Sequence, residues 1–396
     1  MGKVAFLYAT FPQLTETFVR RELKAINQLG FYPALYSLWS GENSWKGQRI
    51  FRFYLWELGK LCFWIPYWAW KRPGSFRTIL NFLWSNPCPN LQNWNETFLG
   101  LSFALVKADS FRRQKYSQIH GIWATMPTSA ALGVHLLTDI KFSMDAHAYD
   151  VFRDGGDWLL SKKIQQAQFI RTSSRSTARR LSQLGASKEI INIIKRSLIT
   201  WPCNPISSEI SGPLRLVSVG RLVPKKGYCH LLSICKLLSD NGLDYKLSII
   251  GDGPLREDIT LISKQLNLGS HVCLIGACSE EEVIKYLEDH DAFLFTGVID
   301  ERGDRDGIPN VIIEAMACGL LVLASNQAGA SEAFVDGVSG ISLDPQDHQA
   351  WVSILLRYAR SPDIYARMRA QARVHSFDRF DSCGNASKIV EQFRPI

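Results

Sequence analysis

A regular alternation of short β-prone segments and longer helical segments runs through the chain from Leu214 onward. Helix-length stretches separate six apolar, strand-like segments, which read LRLVSVG, YKLSIIG, HVCLIG, AFLFTG, LLVLAS and GISL. Strands that alternate with helices at this spacing are typical of a parallel sheet covered by helices on both faces. The sequence therefore predicts a doubly wound α/β domain, in which ligands bind outside the carboxyl ends of the strands.

A second α/β pattern begins at the first residues of the chain. KVAFLYAT predicts a strand, FVRRELKAINQLG a helix and FYPALYSL the next strand. A length of 396 residues fits two domains, and the aperiodic, Pro- and Ser-rich segment from Thr200 to Pro213 predicts the linker between them. We expect a Rossmann-like domain over residues 1–200 and another over 201–375. Residues 376–396 predict a C-terminal helix, and one option is that this helix packs back on the first domain.

Residues 45–100 interrupt the first pattern with seven of the twelve tryptophans of the chain. The apolar stretch from Phe53 to Trp70 has the length of a membrane span, but Glu57 and Lys60 lie inside it and Pro66 interrupts it. Each such charge costs about 2.5–3.5 kcal/mol at the centre of a bilayer. Lys and Arg flank these aromatic residues, which suits the lipid headgroup layer. Two interpretations of this Trp-rich insertion remain: contact with a membrane surface, or a helical hairpin packed only on its own domain.

The formal net charge of +8 is concentrated near the N-terminus. Residues 1–110 hold 12 Lys and Arg against 6 Asp and Glu, and basic surfaces attract phosphates, nucleic acid or anionic lipid. No nucleic-acid-binding motif accompanies this surplus, so we expect no nucleic-acid partner. The nine cysteines lack disulfide or zinc spacing, and MGKVAFLYAT lacks the features of a signal peptide, so we expect a cytoplasmic protein.

Two loops of the C-terminal domain carry the candidate chemistry. Arg221 and Lys226 lie in GRLVPKKG, between a predicted strand and the next helix, where two cations can neutralise a diphosphate. Asp306 and Glu314 lie in DGIPNVIIEAMACG, whose helix start favours an anion and whose carboxylates can accept hydrogen bonds from a polyol. Each loop alone is equally compatible with a solvated connection or a helix cap. Together they predict a site for a sugar-linked diphosphate, and no metal site is visible.

The combination resembles the retaining glycosyltransferases of family 4, which have the GT-B fold of two Rossmann-like domains facing across a cleft. Residues 214–345 look like the donor-binding half: GRLVPKKG is similar to the family pattern G-R-L-x-x-x-K-G, and Asp306 through Glu314 is similar to E-x7-E in its D-G-I-P-N-V variant. FPQLTETFVRREL is similar to the F-P-x-x-S-E-T-F opening of members that build exopolysaccharide, such as colanic acid. DAHAYD resembles the A-H-A-x-D segment of the family.

The resemblance implies a role for each matching residue. Arg221 and Lys226 hold the donor diphosphate and stabilise the leaving nucleotide, and Glu314 binds the ribose hydroxyls. Asp306 contacts the transferred sugar, although it is one methylene shorter than the commoner Glu. His147 faces the acceptor and the reacting centre, so the implied catalytic set is Arg221, Lys226, His147 and Asp306. The remaining implied donor-side positions are Gly220, Ile275, Gly307, Ile308, Pro309, Asn310 and Val311. The remaining acceptor-side positions are Thr15, Glu16, Thr17 and Asp150.

The resemblance therefore predicts an enzyme that moves a sugar from a nucleotide diphosphate to a hydroxyl of a glycan or lipid-linked acceptor, with retention of configuration and without a metal or other cofactor. The expected partners are the nucleotide-sugar donor, this acceptor and an anionic membrane surface, with the protein peripheral on the cytoplasmic face. The alternative is a non-catalytic module that binds a nucleotide sugar or an anionic lipid at a membrane. The presence of Arg221, Lys226 and Glu314 argues against that alternative. The sequence does not choose between UDP and GDP.

Overall fold

The computed structural model describes residues 2–13, 16–198, 210, 212–327 and 329–394. Its contacts divide the chain into two compact units, Met1–Lys195 with Cys383–Ile396 and Arg196–Ser382. Most of the predicted linker from Thr200 to Pro213 lies outside the described residues. The assignment of acceptor binding to the first unit and of donor binding to the second stays a prediction.

The first unit is built on an eight-stranded sheet. Its strands are β1 (Lys3–Phe11), β2 (Ala34–Gly41), β3 (Ser44–Trp45), β4 (Gln48–Arg52), β5 (Tyr116–Gly121), β6 (Lys141–Asp145), β7 (Ile170–Thr172) and β8 (Ile191–Ile193). Their order is β3-β4-β2-β1-β5-β6-β7-β8, and all neighbours run parallel except the short β3–β4 pair. The predicted first strand is therefore central in the sheet, and both of its faces are buried. Ala5 and Leu7 pack into one apolar cluster, while Phe6 and Tyr8 pack into another, because successive strand side chains point to opposite faces.

Helices connect these strands, as parallel pairing requires. They are α1 (Thr17–Gln28), α2 (Leu61–Lys71), α3 (Pro73–Trp84), α4 (Leu91–Arg113), α5 (Met126–Thr138), α6 (Ala148–Phe152), α7 (Leu160–Gln166) and α8 (Arg175–Gln183). The spacing of apolar residues predicts α1. Three of these residues, Phe18, Leu23 and Ile26, are buried on the side of the helix that faces the sheet.

The Trp-rich insertion consists mainly of a 3-10 turn (Leu55–Lys60), α2, α3 and the start of α4. It packs on its own unit through Trp68, which is 1% exposed and donates its indole N–H to the carbonyl of Leu105 at 2.8 Å. Other aromatic side chains of the insertion stay largely exposed, among them Trp56, Phe63, Trp70 and Trp84. No helix within the described part of the chain combines the length and the apolarity needed to cross a membrane.

The second unit contains the six predicted strands in one parallel sheet. They are β9 (Leu214–Val219), β10 (Tyr245–Ile250), β11 (Val272–Gly276), β12 (Ala292–Phe295), β13 (Leu321–Ser325) and β14 (Ile341–Leu343), in the order β11-β10-β9-β12-β13-β14. The helices are α9 (Tyr228–Asp240), α10 (Arg256–Gln265), α11 (Glu280–Glu288), α12 (Asn310–Ala317), α13 (His348–Arg360) and α14 (Ala366–Phe380). The order reverses direction between β9 and β12, and this switch point is where ligands bind in doubly wound sheets.

After α14 the chain returns to the first unit as α15 (Ser382–Glu391) and the residues beyond it. Ile389, Val390 and Phe393 are at most 5% exposed and belong to an apolar cluster of the first unit. The Phe393 ring stacks on Phe31 with 5.5 Å between ring centroids, and it meets the edge of His120 at 5.3 Å. The last residues of the chain thus complete a core that begins with β1.

Candidate functional site

The first predicted motif, GRLVPKKG, connects β9 to α9. Pro224–Lys226 forms one turn of 3-10 helix, and Gly227 ends it with a φ of +66°. A Cβ atom at Gly227 would lie 2.0 Å from the carbonyl oxygen of Thr296, the residue after β12. Glycine is required here because both the left-handed backbone and this contact exclude a side chain. The loop is thereby held against the carboxyl end of the neighbouring strand.

Two lysine–aspartate contacts join this loop to the second predicted motif. Lys226 Nζ lies 2.7 Å from Oδ2 of Asp306 and 5.0 Å from the centre of the Phe295 ring. Lys225 Nζ lies 3.1 Å from Oδ1 of Asp304 and 3.6 Å from Oδ1 of Asp306. The structure therefore brings two loops that are distant in sequence to the same edge of the sheet, at the switch point between β9 and β12.

The carboxyl group of Asp306 is ionised in this setting. Burial alone would raise its pKa, but the charges of Lys226 and Lys225 and their hydrogen bonds outweigh burial and hold the pKa below its usual value. The two lysines and the two aspartates balance in charge. A diphosphate that binds Lys226 therefore has to compete with Asp306 for the ammonium group.

The start of the same loop carries two further predicted residues. Arg221 is exposed. A Cβ atom at Gly220 would lie 3.2 Å from Cε of Lys226, so the absence of a side chain at Gly220 lets the lysine stem lie close to the end of β9. The Tyr228 hydroxyl donates to the carbonyl of Gly220 at 2.9 Å, which ties the first turn of α9 to the strand.

The second motif leads from Asp306 into α12. A Cβ atom at Gly329 would lie 2.6 Å from the carbonyl carbon of Gly307, and the Gly329 N–H donates to the carbonyl of Asp306 at 3.1 Å. This close approach of two backbones holds the loop in place. Pro309 precedes the first turn of α12, which Asn310 and Val311 begin. The Ile312 N–H of that turn donates to the carbonyl of Pro309 at 3.2 Å, and the amide groups at a helix start generally favour an anion.

Two of the predicted donor-side residues, Glu314 and Ile308, are buried in the second unit. Glu314 lies in the second turn of α12 and is 7% exposed, and Ile308, just before the helix, is 2% exposed. Ile275 is half-buried in β11, at the edge of the sheet, and β10 separates that strand from β9. The structure thus groups the loop residues around Lys226 and places Ile275 two strands away.

The predicted acceptor-side residues lie in the first unit, at the carboxyl ends of its strands. Thr15 lies outside the described residues, whereas Glu16 and Thr17 are half-buried at the start of α1. Phe18, the next residue, meets the imidazole of His147 edge-on, with 5.6 Å between ring centroids. Trp123 contacts the same imidazole at 4.9 Å. The start of α1 and His147 therefore belong to one cluster, and the His147 side chain is 5% exposed.

Asp150 holds the backbone around His147. Its carboxylate accepts the N–H of His147 at 2.7 Å and the N–H of Ala124 at 2.6 Å. Burial raises the pKa of Asp150 to about 7; the backbone hydrogen bonds lower it, and the charge of Asp157 raises it further. Asp150 thus titrates near neutrality while it joins α6 to the turn after β5.

Sequence reasoning missed several buried charges around both clusters. Lys163 is 0% exposed, donates to the carbonyl of Ala124 at 2.6 Å and forms an ion pair with Asp157. In the second unit the missed pair is Lys225 and Asp304. The signals were the doubled lysine in VPKKG and the two carboxylates in DRD, which place a second lysine beside Lys226 and a second aspartate two residues before Asp306. No group of three or more metal-ligating side chains is found within the described ranges.

The C-terminal half of the chain matches a protein family. Residues 205–375 match the family described as glycosyl transferases group 1. The chain is 32% identical over 231 residues to the amylovoran biosynthesis glycosyltransferase AmsK of Erwinia amylovora, covering 57% of each protein. It is 29% identical over 185 residues to the putative colanic acid biosynthesis glycosyltransferase WcaL of Escherichia coli, covering 46% of this chain and 45% of that protein. The chain thus spans about half the length of the curated relatives it matches.

Solved structures resemble the whole chain at low sequence identity. HepE of Anabaena, in complex with UDP and glucose, gives a TM-score of 0.71 at 14% identity over 99% of both chains. Sucrose-phosphate synthase of Thermosynechococcus elongatus gives 0.73 at 14% identity, over 100% of this chain and 98% of that one. At this identity the likeness shows the fold, and with the two parallel sheets it confirms the predicted GT-B class. Residues 205–375 are thus similar to the group 1 glycosyl transferases.

Proposed function

We propose that this protein is a retaining, nucleotide-sugar-dependent glycosyltransferase that transfers a hexose to a hydroxyl of a glycan or lipid-linked acceptor in polysaccharide or glycolipid biosynthesis. The observation that carries the proposal is the cluster of Lys226, Lys225 and Asp306 at the switch point of the second sheet. Cations, a helix start and a partly buried carboxylate at one strand edge suit a ligand that combines phosphates with sugar hydroxyls. The family match over residues 205–375 supports the same chemistry.

In this proposal the loop after β9 stabilises the leaving nucleotide. Lys226 and the exposed Arg221 contact the diphosphate, and the amides of Asn310 and Val311 contact the phosphate and sugar at the start of α12. Charge develops on the diphosphate as the glycosidic bond to the nucleotide breaks, so these groups bind the transition state more tightly than the ground state. Removal of one such charged contact costs about 3–4 kcal/mol of transition-state stabilisation, on the order of 10²–10³ in rate.

The carboxylates and the histidine orient the two substrates. Glu314 accepts hydrogen bonds from the ribose hydroxyls, and Asp306 passes from its ion pair with Lys226 to a hydroxyl of the transferred sugar. Gly220, Gly307, Ile308 and Pro309 shape the donor loop, and Ile275 lies on the side of the nucleotide base. Thr15, Glu16, Thr17, His147 and Asp150 serve the acceptor side, where Asp150 keeps the backbone of His147 in place. No metal or other cofactor takes part.

The proposed location is the cytoplasmic face of a membrane, where the protein binds as a peripheral protein. This part of the proposal is supported by the Trp-rich insertion, whose Trp56, Phe63, Trp70 and Trp84 side chains are exposed among basic residues. Aromatic rings next to cations suit the headgroup layer of an anionic membrane. Flotation with anionic vesicles measures the association, and no co-flotation at low salt would contradict it.

The proposed activity is tested with purified protein and a panel of UDP- and GDP-linked sugars, with products identified by mass spectrometry. We expect transfer or slow donor hydrolysis by the wild type. Lys226→Ala and Glu314→Ala should abolish turnover while circular dichroism shows a folded protein. Lys236→Ala, which removes an exposed ion pair with Asp240 on α9, is the control and should keep full activity. Wild-type rates in Lys226→Ala or Glu314→Ala would overturn the proposed site, and binding without any turnover would favour a non-catalytic module.

A further inference from the structure

A groove of about 700 Å³ lies between α2, α3 and α4 in the Trp-rich insertion. Twelve of the fourteen residues that line it are apolar. Ile79 and Leu101 are buried at its wall, whereas Leu80, Trp94 and Phe98 are 43–50% exposed. The volume falls within the range of small-molecule sites, roughly 300–1,000 Å³. Because apolar surface gains free energy when it leaves water, this groove favours a hydrocarbon occupant.

The surface around the groove is basic. Residues 45–84 contain seven Lys and Arg but a single acidic residue, Glu57. Glu57 is 3% exposed and pairs with Lys60 at 3.0 Å and with Lys107, so its charge is compensated inside the protein. Lys71 and Arg72 pair with Asp109 and Asp139, which lie outside this segment. The remaining basic residues of the segment leave a net positive charge, which complements an amphiphile with an anionic group near its hydrocarbon chain.

A polar pocket lies next to the groove, along the first turns of α4. Gln92 donates to the Tyr149 hydroxyl at 2.6 Å and to Glu96 at 2.8 Å, and all three residues line the pocket. Asn93 also lines the pocket, and its side-chain oxygen accepts the backbone N–H of Trp158 at 3.0 Å, while Trp158 lines the groove. The groove and the pocket are therefore adjacent parts of one structure built on α4.

We propose that the groove binds the hydrocarbon chain of the lipid that carries the acceptor sugar, with the sugar at the polar pocket. The inference rests on the proposed function and names the acceptor class of that site. Amides, a hydroxyl and carboxylates match sugar hydroxyls, and Tyr149 and Asp150 of the pocket lie two and three residues after His147 in the chain. An acyl chain of the surrounding bilayer would account for the groove and the charge, but it would bring no sugar to the polar pocket, whose space of about 20 Å³ lets a sugar bind only at its mouth.

The test measures how affinity depends on chain length, by calorimetry with methyl, octyl, decyl and dodecyl glucosides below their micelle concentrations. For the wild type we expect affinity to rise with each lengthening, by at most roughly fourfold for each methylene that enters the groove. Leu80→Asp and Phe98→Asp each place a charge in the groove and should remove most of this dependence. Both positions are about half exposed, so circular dichroism and thermal unfolding should match the wild type.

Trp70→Ser is the matched control, because Trp70 lies on α2, is 82% exposed and does not line the groove. It should keep the dependence on chain length while it weakens adhesion to anionic vesicles. Equal dependence in Leu80→Asp, Phe98→Asp and the wild type would overturn the proposal. An equal loss of the chain-length dependence in Trp70→Ser would also overturn it. The gain in affinity with chain length would then come from general adhesion to the surface. A change of oligomeric state in Leu80→Asp without a change in glucoside binding would assign the groove to a second copy of the chain.

Failure of this inference and failure of the proposed function give different results. Chain-length-dependent binding that Leu80→Asp removes, in a protein that turns over none of the donors, would overturn the proposed function and keep the groove as a lipid site. The opposite result is turnover with an acceptor sugar that carries no lipid, together with a glucoside affinity that does not depend on chain length. It would support the proposed function and overturn the groove proposal.

Discussion

Asp306 governs how Lys226 is presented to a ligand. The carboxylate lies 2.7 Å from the ammonium group, so the proposed nucleoside diphosphate ligand has to displace it. We predict that Asp306→Asn raises the affinity for a free nucleoside diphosphate by roughly tenfold, about 1.4 kcal/mol, because the lysine then lacks its competing anion. The same variant should transfer sugar more slowly, because it loses the proposed sugar contact.

Calorimetry with UDP and GDP measures the affinity, and Asp304→Asn is the control. Asp304 contacts Lys225 at 3.1 Å, whereas Lys226 pairs with Asp306. An unchanged affinity in Asp306→Asn, or an equal rise in both variants, would contradict direct competition for Lys226.

Asp150 makes the stability of the first unit depend on pH. Burial raises its pKa to about 7 from the usual aspartate value of 3.8, so between these values the folded protein binds a proton that the unfolded chain has released. The contribution is fully present below about pH 4 and is lost as the pH rises through about 7. We predict that the free energy of unfolding of the wild type, relative to Asp150→Asn, falls by on the order of 1 kcal/mol per pH unit across this window. Urea unfolding of both proteins measures the difference, and a constant difference would contradict the raised pKa.

At the scale of elements, the Gly227 turn joins a local conformation to a long-range contact. Gly227→Ala would put a Cβ atom 2.0 Å from the carbonyl oxygen of Thr296 at a φ of +66°, whereas Gly242 has a φ of +70° and no atom within 4 Å of such a Cβ. Gly242→Ala therefore carries only the left-handed backbone cost of about 1–2 kcal/mol. We predict that Gly227→Ala loses clearly more stability and also weakens donor binding, since the loop before α9 must move.

Urea unfolding and donor calorimetry on the two glycine variants separate these effects. Equal losses of stability, with donor affinity unchanged in both, would show that the contact between Gly227 and Thr296 does not position the loop.

The elements of the second unit could be predicted because each strand is a continuous apolar run between turn residues. All six strands are confirmed, whereas the helix-length stretch before β14 contains a short 3-10 turn, Ala330–Glu332, and β8 in the first unit was not expected. Three residues of strand carry too little periodicity to recognise. The two candidate loops could be identified from their charged residues. The ion pair between Lys226 and Asp306 could not be predicted, because it depends on which strands are neighbours in the sheet, and a local sequence pattern does not contain that information.

At the scale of the whole molecule, the path of the chain makes the first unit depend on the last residues. We predict that truncation after Asp381 destabilises the first unit by roughly 5 kcal/mol, because burial of Ile389, Val390 and Phe393 contributes about 1.5–3 kcal/mol each. Ten of the twelve tryptophans lie in Met1–Lys195, so tryptophan fluorescence during thermal unfolding reports mainly on this unit. Truncation after Phe393 keeps all three side chains and is the control. Because the strands of the second unit come from residues before the truncation, its unfolding, followed by circular dichroism, should shift far less, and an equal shift of both transitions would show that the units unfold as one.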